Sequence, residues 1–396
     1  MTVLNKTLLG SGDSVETASR YQVDIKPLSS RCLMRICLYS PYLPKHTGGG
    51  ERYLFDVARC LRSRHRVQVA FTGTDWQENE IRQRYQQFLG YSLEGIEVIS
   101  TPLFSRASWW RKLWWTKQFD LLYYLTDGSL FWSLAGRNIL HIQLPLKLDK
   151  SGWIDRFKLS RWHVKTTNSE FTKEVVTASW PVEINYVHPP AIELPASLPG
   201  NKQQIILHVG RFFRQLHTKR QDVLVEMFSR LKQQHSRLTQ GWKLVLIGPV
   251  ENRDYARQVA QLARGLPVEV HHDVTRAQLE QWYRRASLYW HATGYQVDER
   301  SHPQLVEHFG ITTLEAMAYG CVPVVINKGG QREIMAGRLS QLLWTDPAQA
   351  IELTAQLIRE PKLKQEMTNL ARRRASQYSL KSFASTLELM VSRPDD

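Results

Sequence analysis

The sequence predicts an α/β protein of two domains, each a parallel sheet wrapped by helices, facing each other across a cleft. Three observations carry this. A strand, a glycine-rich turn, a helix and a second strand follow one another from residue 33; an independent strand–helix alternation begins near residue 204; and a proline-rich stretch lies between them. A chain of 396 residues is also too long for one ordinary core and comfortable as two.

The first strand is "LMRICLYS" (33–40). "PYLPKHTGGG" follows, then "ERYLFDVARCLRSR", in which Leu54, Val57, Ala58 and Leu61 recur at helical spacing. "HRVQVAFTG" reads as the next strand, completing a βαβ unit and implying a parallel sheet. "GIEVIST", "DLLYYLT", "RNILHIQ", "WHVKTTNS" and "VEINYVHPP" are short apolar runs that suit buried strands, and "SEFTKEVVTA" opens a helix with Ser169 in the cap position. Beyond the prolines, strands at "QIILHVGRF", "WKLVLIGP", "VEVHHDV", "LYWHAT" and "CVPVVIN" alternate with helices at "KRQDVLVEMFSRLKQQ", "NRDYARQVAQLARGL", "TRAQLEQWYRRA" and "GITTLEAMAYG". Both halves have the doubly wound, Rossmann-like pattern, in which ligands sit outside the carboxyl ends of the strands. The expected organisation is a loosely ordered tail over 1–30, a first Rossmann-like domain over 31–190, a linker over 191–203, a second Rossmann-like domain over 204–376, and a final helix over 377–396 packing back on the first domain. A proline-rich surface loop inside one domain is the alternative to the linker.

Apolar residues make up 42% and charged residues 22%, an ordinary globular balance that excludes a disordered chain. The formal net charge of +15 favours anionic partners: phosphorylated ligands, an anionic membrane surface or nucleic acid. Cys32, Cys37, Cys60 and Cys321 are scattered, without metal-ligand spacing, and read as buried thiols in a reducing compartment. Neither the apolar core of a signal peptide nor a membrane-spanning run is present, so a cytosolic location is expected.

Function concentrates in "EHFGITTLEAMAYG" (307–320), where Glu307 lies just before a helix and Glu315 inside its first turns. A helix start offers unpaired N–H groups and partial positive charge to phosphate, and Gly310 lets a ligand approach the backbone. Thr312 and Thr313 add hydroxyls. Carboxylates beside a phosphate must face something neutral, and vicinal sugar hydroxyls fit. The pattern suggests a diphosphate on the helix end with a sugar at each glutamate, the layout of a nucleotide sugar. Taken alone, two glutamates at this spacing are more often a helix-capping glutamate and a solvated Glu315 than a ligand site.

"EHFGITTLEAMAYGCVPVVINKGGQREIM" resembles the signature of retaining GT-B glycosyltransferases of the family 4 type (glycosyl transferases group 1). "HVGRFFRQLHTKRQDVLVEMF" and "SPYLPKHTGGGERYL" are similar to that family's two other landmarks, in the same order, over residues 33 to 335. The resemblance implies that Arg211 and Lys219 neutralise the diphosphate, that Glu307 holds the donor sugar and Glu315 the ribose, and that Gly310 and Ile311 offer backbone N–H groups. Phe309 and Thr312 complete the expected donor site, with Gly48 and Gly49 approaching from across the cleft. It also implies a metal-independent reaction with no cofactor beyond the nucleotide-sugar co-substrate; no D-x-D occurs in the chain. No nucleophilic carboxylate stands out, which favours a front-face reaction in which the departing phosphate takes the acceptor proton.

Three departures from the family pattern matter. "FFRQLHT" lengthens the spacing from Arg211 to Lys219, so Arg214 and Arg220 compete for the lysine's role. "GYQVDERSHPQLV" is an insert before Glu307, expected as a lip of the cleft. In "HIQLPL" the place where many relatives carry histidine holds Gln143, with His141 on the same strand face. His141 is thus a catalytic candidate, and Asp127, His141 and Gln143 are acceptor-side candidates; a strand-end polar residue and an Asp-Gly turn are the plainer readings. Finally, "SRASWWRKLWWTKQF" interleaves tryptophans with cations: Arg106 and Lys117 flank Trp109, Trp110, Arg111, Lys112, Trp114 and Trp115. That mix favours an anionic membrane surface, with burial against the sheet or an oligomer contact as alternatives. It also suits single-stranded nucleic acid, but no RNA-binding motif accompanies it and nucleic acid is not an expected partner. The expected enzyme moves a hexose, from a GDP-mannose or UDP-glucose type donor, to a glycan or lipid-linked acceptor. A nucleotide-sugar 2-epimerase and a non-catalytic glycan- or membrane-binding relative are the rivals.

Overall fold

Apolar strands buried on both faces need cover on both sides, and the chain supplies it twice. The computed structural model describes residues 33–42, 48–73, 76–103, 107–197, 200–215 and 217–392. The expected tail over 1–30, together with Cys32 and Arg106, lies outside these residues, as does 393–396 at the end of the last expected helix.

The first sheet is parallel throughout and contains β1 (Arg35–Ser40), β2 (Arg66–Thr72), β3 (Ile96–Thr101), β4 (Leu121–Thr126), β5 (Arg137–Ile142), β6 (Val164–Thr167) and β7 (Tyr186–Val187), in the order β3-β2-β1-β4-β5-β6-β7. Its helices are α1 (Gly49–Leu61), α2 (Glu78–Leu89), α3 (Trp109–Lys117), α4 (Trp153–Leu159) and α5 (Glu170–Thr177). Ser169 caps α5 by accepting from the Thr172 amide, the role its position in the sequence predicts.

The second sheet, also parallel, contains β8 (Gln203–Val209), β9 (Lys243–Ile247), β10 (Val268–His271), β11 (Ala286–His291), β12 (Val322–Ile326) and β13 (Leu343–Trp344), in the order β10-β9-β8-β11-β12-β13. Around it lie α6 (Gln221–Gln234), α7 (Arg253–Leu262), α8 (Arg276–Arg285), α9 (Ile311–Ala318), α10 (Gln331–Ile334), α11 (Pro347–Arg359) and α12 (Pro361–Ser376). The last helix, α13 (Leu380–Val391), buries Phe383, Leu387 and Met390 in the core of the first sheet beside Tyr53 of α1. Two crossings join the halves side by side, where the Ile192 amide donates to the Tyr378 carbonyl at 2.9 Å.

In both sheets the strand order reverses next to the first strand, between β1 and β4 and between β8 and β11. These reversals open the crevices in which ligands of such sheets bind. α2 and α4 are absent from the sequence reading for physical reasons. α2 buries only Ile81, Tyr85 and Leu89, a narrow stripe among polar residues, and α4 leaves Trp153, Ile154 and Phe157 exposed, so its apolar side marks no core.

Candidate active site in the cleft

Glu307 stands at the β8/β11 reversal and is held by groups from both strand ends. The Lys219 ammonium, on the segment after β8, donates to its Oε2 at 2.7 Å, and Nε2 of His291, the last residue of β11, donates to the same oxygen at 2.9 Å. The side chains of Lys219 and Glu307 are 13% and 14% exposed. Burial alone pushes the Glu307 carboxyl up; Lys219, then His291 and His217, outweigh it and hold the group well below the usual carboxylate range. Burial outweighs the Glu307 carboxylate and lowers the His291 ring, which favours its neutral form, and the bond to Glu307 selects the tautomer with the proton on Nε2. The Glu307 backbone is fixed from behind: Gly330 donates its amide to the Glu307 carbonyl at 2.8 Å. Gly329 passes so close, at φ +56°, that a Cβ there would lie 2.2 Å from that same oxygen. This glycine pair has no role in the sequence reading, although "NKGGQRE" stands inside the quoted signature.

Gly310 caps α9 at φ +113°, and a Cβ there would meet Gln331 Nε2 at 2.6 Å, so only glycine starts this helix. The first-turn amides of Gly310, Ile311 and Thr312 are those a helix start leaves for a ligand. Thr312 shares a hydrogen bond with the Tyr289 hydroxyl at 2.8 Å. Thr313 is fully buried and accepts from Gln331 at 3.0 Å, which turns its hydroxyl inward, contrary to its expected contribution to the ligand. Phe309 is buried in the core against Tyr378.

Glu315, 2% exposed, is bonded by three donors from two domains. Arg52 Nη1 of α1 reaches Oε1 at 2.5 Å, Arg276 Nη1 of α8 reaches the same oxygen at 2.6 Å, and the Tyr283 hydroxyl of α8 reaches Oε2 at 2.9 Å. Burial pushes its carboxyl up, and Arg276, then Arg52, overcome this and bring it to about 2. None of the three donors is a site residue in the sequence reading. Arg276 and Tyr283 are two helical turns apart on one face of α8, and that spacing is the signal that could have found them.

Of the competing cations, Lys219 is the one bonded to Glu307. Arg214 bonds Gln258 and lies over the Tyr255 ring, and Arg220 bonds Asp222 and the Tyr295 carbonyl. Arg211 donates to Glu251 at 2.9 Å and stacks over Phe213. The insert before Glu307 carries Glu299, which accepts from the Gly329 amide at 2.9 Å and pairs with Arg332, while Lys147 of the first domain donates to the Arg300 carbonyl.

On the first domain, Gly48 is the extended N-cap of α1 and Gly49 faces open space. Gln143 lies against Gly50, and its Nε2 is buried with no protein partner among the described residues. His141 is not brought to the cleft in the way an acceptor-side catalyst requires. It is fully buried, stacked on the Tyr53 ring at 4.0 Å and within 3.2 Å of its hydroxyl, and desolvation with His188 nearby drives its ring well below the ordinary histidine value. It supports α1 from beneath. Asp127 forms its Asp-Gly turn: its Oδ1 accepts from the Ser129 amide and hydroxyl, and Gly128 takes φ +101°.

Trp109 is 74% exposed, with Trp110 and Trp114 also open and Lys117 over the Trp114 ring. Trp115, expected with them, turns partly inward onto Phe119. Trp153 (78% exposed) and Phe157 (57%) of α4 extend the apolar face, and an apolar groove of about 490 Å³ runs between the two helices past Trp132, with Lys112 and Lys158 on its walls. No helix of the described residues is long and apolar enough to cross a membrane.

Residues 192–374 match the family model described as glycosyl transferases group 1. HepE of Anabaena, solved with UDP and glucose, is 16% identical over 90% of this chain and 99% of its own, with a TM-score of 0.66. TarM of S. aureus, solved with Fondaparinux, alpha-GlcNAc-glycerol and UDP, is 10% identical over 91% and 100%, also at 0.66. WaaG, a glycosyltransferase involved in lipopolysaccharide biosynthesis, is 16% identical over 91% and 100%, at 0.58. No curated protein matches the sequence. At these identities the likeness is one of fold, the GT-B arrangement of two facing α/β domains.

Proposed function

We propose, for a chain whose residues 192–374 match the model of glycosyl transferases group 1, that it transfers a hexose from a nucleotide sugar, with retention, to a glycan or lipid-linked acceptor. The observation that carries this reading is the pair of carboxylates at the start of α9, each pre-oriented by cations: Glu307 by Lys219 and Glu315 by Arg52 and Arg276. Glu307 is suited to donor-sugar hydroxyls, Glu315 to the ribose, and the amides of Gly310, Ile311 and Thr312 to the diphosphate between them. Arg211 and Lys219 are the cations that would meet the charge developing on the leaving nucleoside diphosphate, with no metal required. Gln143, whose buried amide lacks a protein partner, is the best-supported residue on the acceptor side. HepE and TarM were solved with UDP, which makes UDP-hexoses the donors to try first, ahead of GDP-mannose.

The test is nucleoside-diphosphate release from a panel of UDP-, GDP- and ADP-sugars in EDTA, on the native chain and on Glu307→Ala. Slow release from one donor, lost in the variant, supports the reading. Turnover that needs a divalent cation and survives the substitution overturns it, and conversion of donor alone to an epimer favours the 2-epimerase.

The acceptor is proposed to be presented at an anionic membrane surface. The exposed face of α3 and α4 combines tryptophans with Arg111, Lys112 and Lys158, the composition that favours a bilayer interface. Co-sedimentation with phosphatidylglycerol vesicles, lost in Trp109→Ala/Trp153→Ala and absent with phosphatidylcholine alone, is the expected result. Equal binding by the double variant refutes the membrane reading.

A further inference from the structure

Glu315 is the more crowded of the two carboxylates. An ionised carboxylate has about four lone-pair sites. Arg52 and Arg276 take two of them on Oε1, at 2.5 and 2.6 Å, and the Tyr283 hydroxyl takes one on Oε2 at 2.9 Å. One site remains, whereas a ribose presents two vicinal hydroxyls. One of the three donors must leave if both hydroxyls are to bond.

The three are not equally tied. Tyr283 is fully buried in the same domain as Glu315. Arg276 is braced on its own helix by Glu280 at 3.1 Å, and its Nη2 is buried without a protein partner among the described residues, a spare donor beside the carboxylate. Arg52 reaches across from the other domain and has a second carboxylate within reach. Asp56, one turn further along α1, holds Oδ2 3.8 Å from Arg52 Nε. Asp56 is buried, and its other oxygen already accepts the Tyr91 hydroxyl at 2.9 Å.

We propose that Arg52 is a positioning residue that yields to the donor: it holds Glu315 until a nucleotide arrives, then passes to Asp56 as the ribose 2′- and 3′-hydroxyls take its place on the carboxylate. The inference rests on the reading that Glu315 takes the ribose. Its consequence is selective. A ribonucleotide must break the tie between α1 and α9, whereas a 2′-deoxynucleotide, with one hydroxyl to place, uses the open site and leaves the tie intact. Because two ligands of one group oppose each other reciprocally, removing Arg52 strengthens ribonucleotide binding and not deoxynucleotide binding.

The experiment is calorimetric titration of the full chain with UDP, GDP and ADP, then with the 2′-deoxy form of whichever binds, on the native chain, Arg52→Gln, Asp56→Asn and Glu315→Gln. Arg52→Gln is expected to tighten the ribonucleotide about five- to thirtyfold and leave the deoxy form within about twofold. Asp56→Asn removes the receiving carboxylate and is expected to move the ribonucleotide the opposite way. A structural role for Arg52 would shift both nucleotides together, so an unchanged ratio of the two affinities in Arg52→Gln overturns the proposal, as does weaker ribonucleotide binding. Glu315→Gln separates the underlying reading. If it leaves the ribose-to-deoxyribose ratio untouched, Glu315 does not hold the ribose; if it collapses that ratio while Arg52→Gln does not raise it, the ribose reading stands and the yielding arginine falls. Failure of all three nucleotides to bind the native chain overturns both.

Discussion

Glu307→Gln separates the pairing role that Glu307 has in the structure from the sugar-binding role proposed for it. The substitution keeps the shape and an oxygen for Lys219 and His291, at 2.7 and 2.9 Å, and removes the charge. Breaking a fully buried ion pair from one side costs about 3–5 kcal/mol. Here the pair is 13–14% exposed and the amide oxygen still accepts, so the stability loss is expected at the lower end of the unsatisfied-group range, about 1–2 kcal/mol. On catalysis, if Glu307 holds the donor sugar as proposed, the loss is that of a charged hydrogen bond, about 1.5–3 kcal/mol, or roughly 10- to 150-fold in kcat/KM. The free nucleoside diphosphate carries no sugar, and Lys219 keeps its hydrogen bond but loses the opposing charge in the variant. Affinity for the diphosphate should therefore be equal or tighter. The assay pairs kcat/KM for nucleoside-diphosphate release with calorimetric binding of the diphosphate. A fall in diphosphate affinity as large as the fall in kcat/KM would mean that Glu307 meets the nucleotide and not the sugar, and the site assignment would be refuted.

Two further outcomes follow from single groups. Gly310→Ala places a Cβ at φ +113°, 2.6 Å from Gln331 Nε2, and should cost about 1–3 kcal/mol of strain and weaken diphosphate binding by displacing the first turn of α9; a melting temperature and an affinity both unchanged would contradict the close packing described above. Glu333 of α10 accepts the Glu170 amide of α5 at 2.7 Å, and burial, with Glu170 adding to it, raises its carboxyl from the ordinary 4.5 to about 7. A raised acid binds its proton more tightly in the folded state, so its contribution is complete below pH 4.5 and is lost as pH rises through 7. The free energy of unfolding should fall between pH 5 and 8 by up to about 3 kcal/mol, and Glu333→Gln should flatten that slope.

How far the sequence reaches depends on how local each feature is. The two alternations were legible because central strands such as β4 and β12 are buried along their whole length and read as unbroken apolar runs between helical patterns. The start of α9 was legible because Glu307, Gly310 and Glu315 are neighbours in the chain. Arg52 was not, since it lies 263 positions from Glu315 and only the facing of two domains unites them. His291 reads as the end of an apolar strand, and nothing in "LYWHAT" says that its ring turns to a carboxylate. His141 misled for the converse reason. Its place on a strand is right for a cleft residue, but Tyr53 and His188 close over that face. The tryptophan helix was visible by composition, while its companion α4 required the fold to set Trp153 and Phe157 beside it.

The cations proposed to meet the donor are already paired with carboxylates, and under that proposal a donor must compete with those partners. Lys219 faces Glu307, Arg52 and Arg276 face Glu315, and Arg211 faces Glu251 at 2.9 Å. Bare, these cations would repel one another; paired, they remain ordered, and a diphosphate gains less than the sum of its new contacts because it must replace existing partners. The gain from removing a partner should then depend on exposure. Glu251 and Arg211 are 32% and 30% exposed, so solvent already screens their pair, which is worth about 0.2–1 kcal/mol. Glu251→Gln should thus tighten diphosphate binding by about 1.5- to 5-fold, an effect that fades as salt rises and screens the same charges. If Arg211 meets the leaving diphosphate, the gain appears in titration with UDP at low ionic strength and disappears in Arg211→Gln/Glu251→Gln. Unchanged binding in Glu251→Gln would leave Arg211 a surface partner of Glu251, and Lys219 with the amides of α9 as the groups that carry the charge.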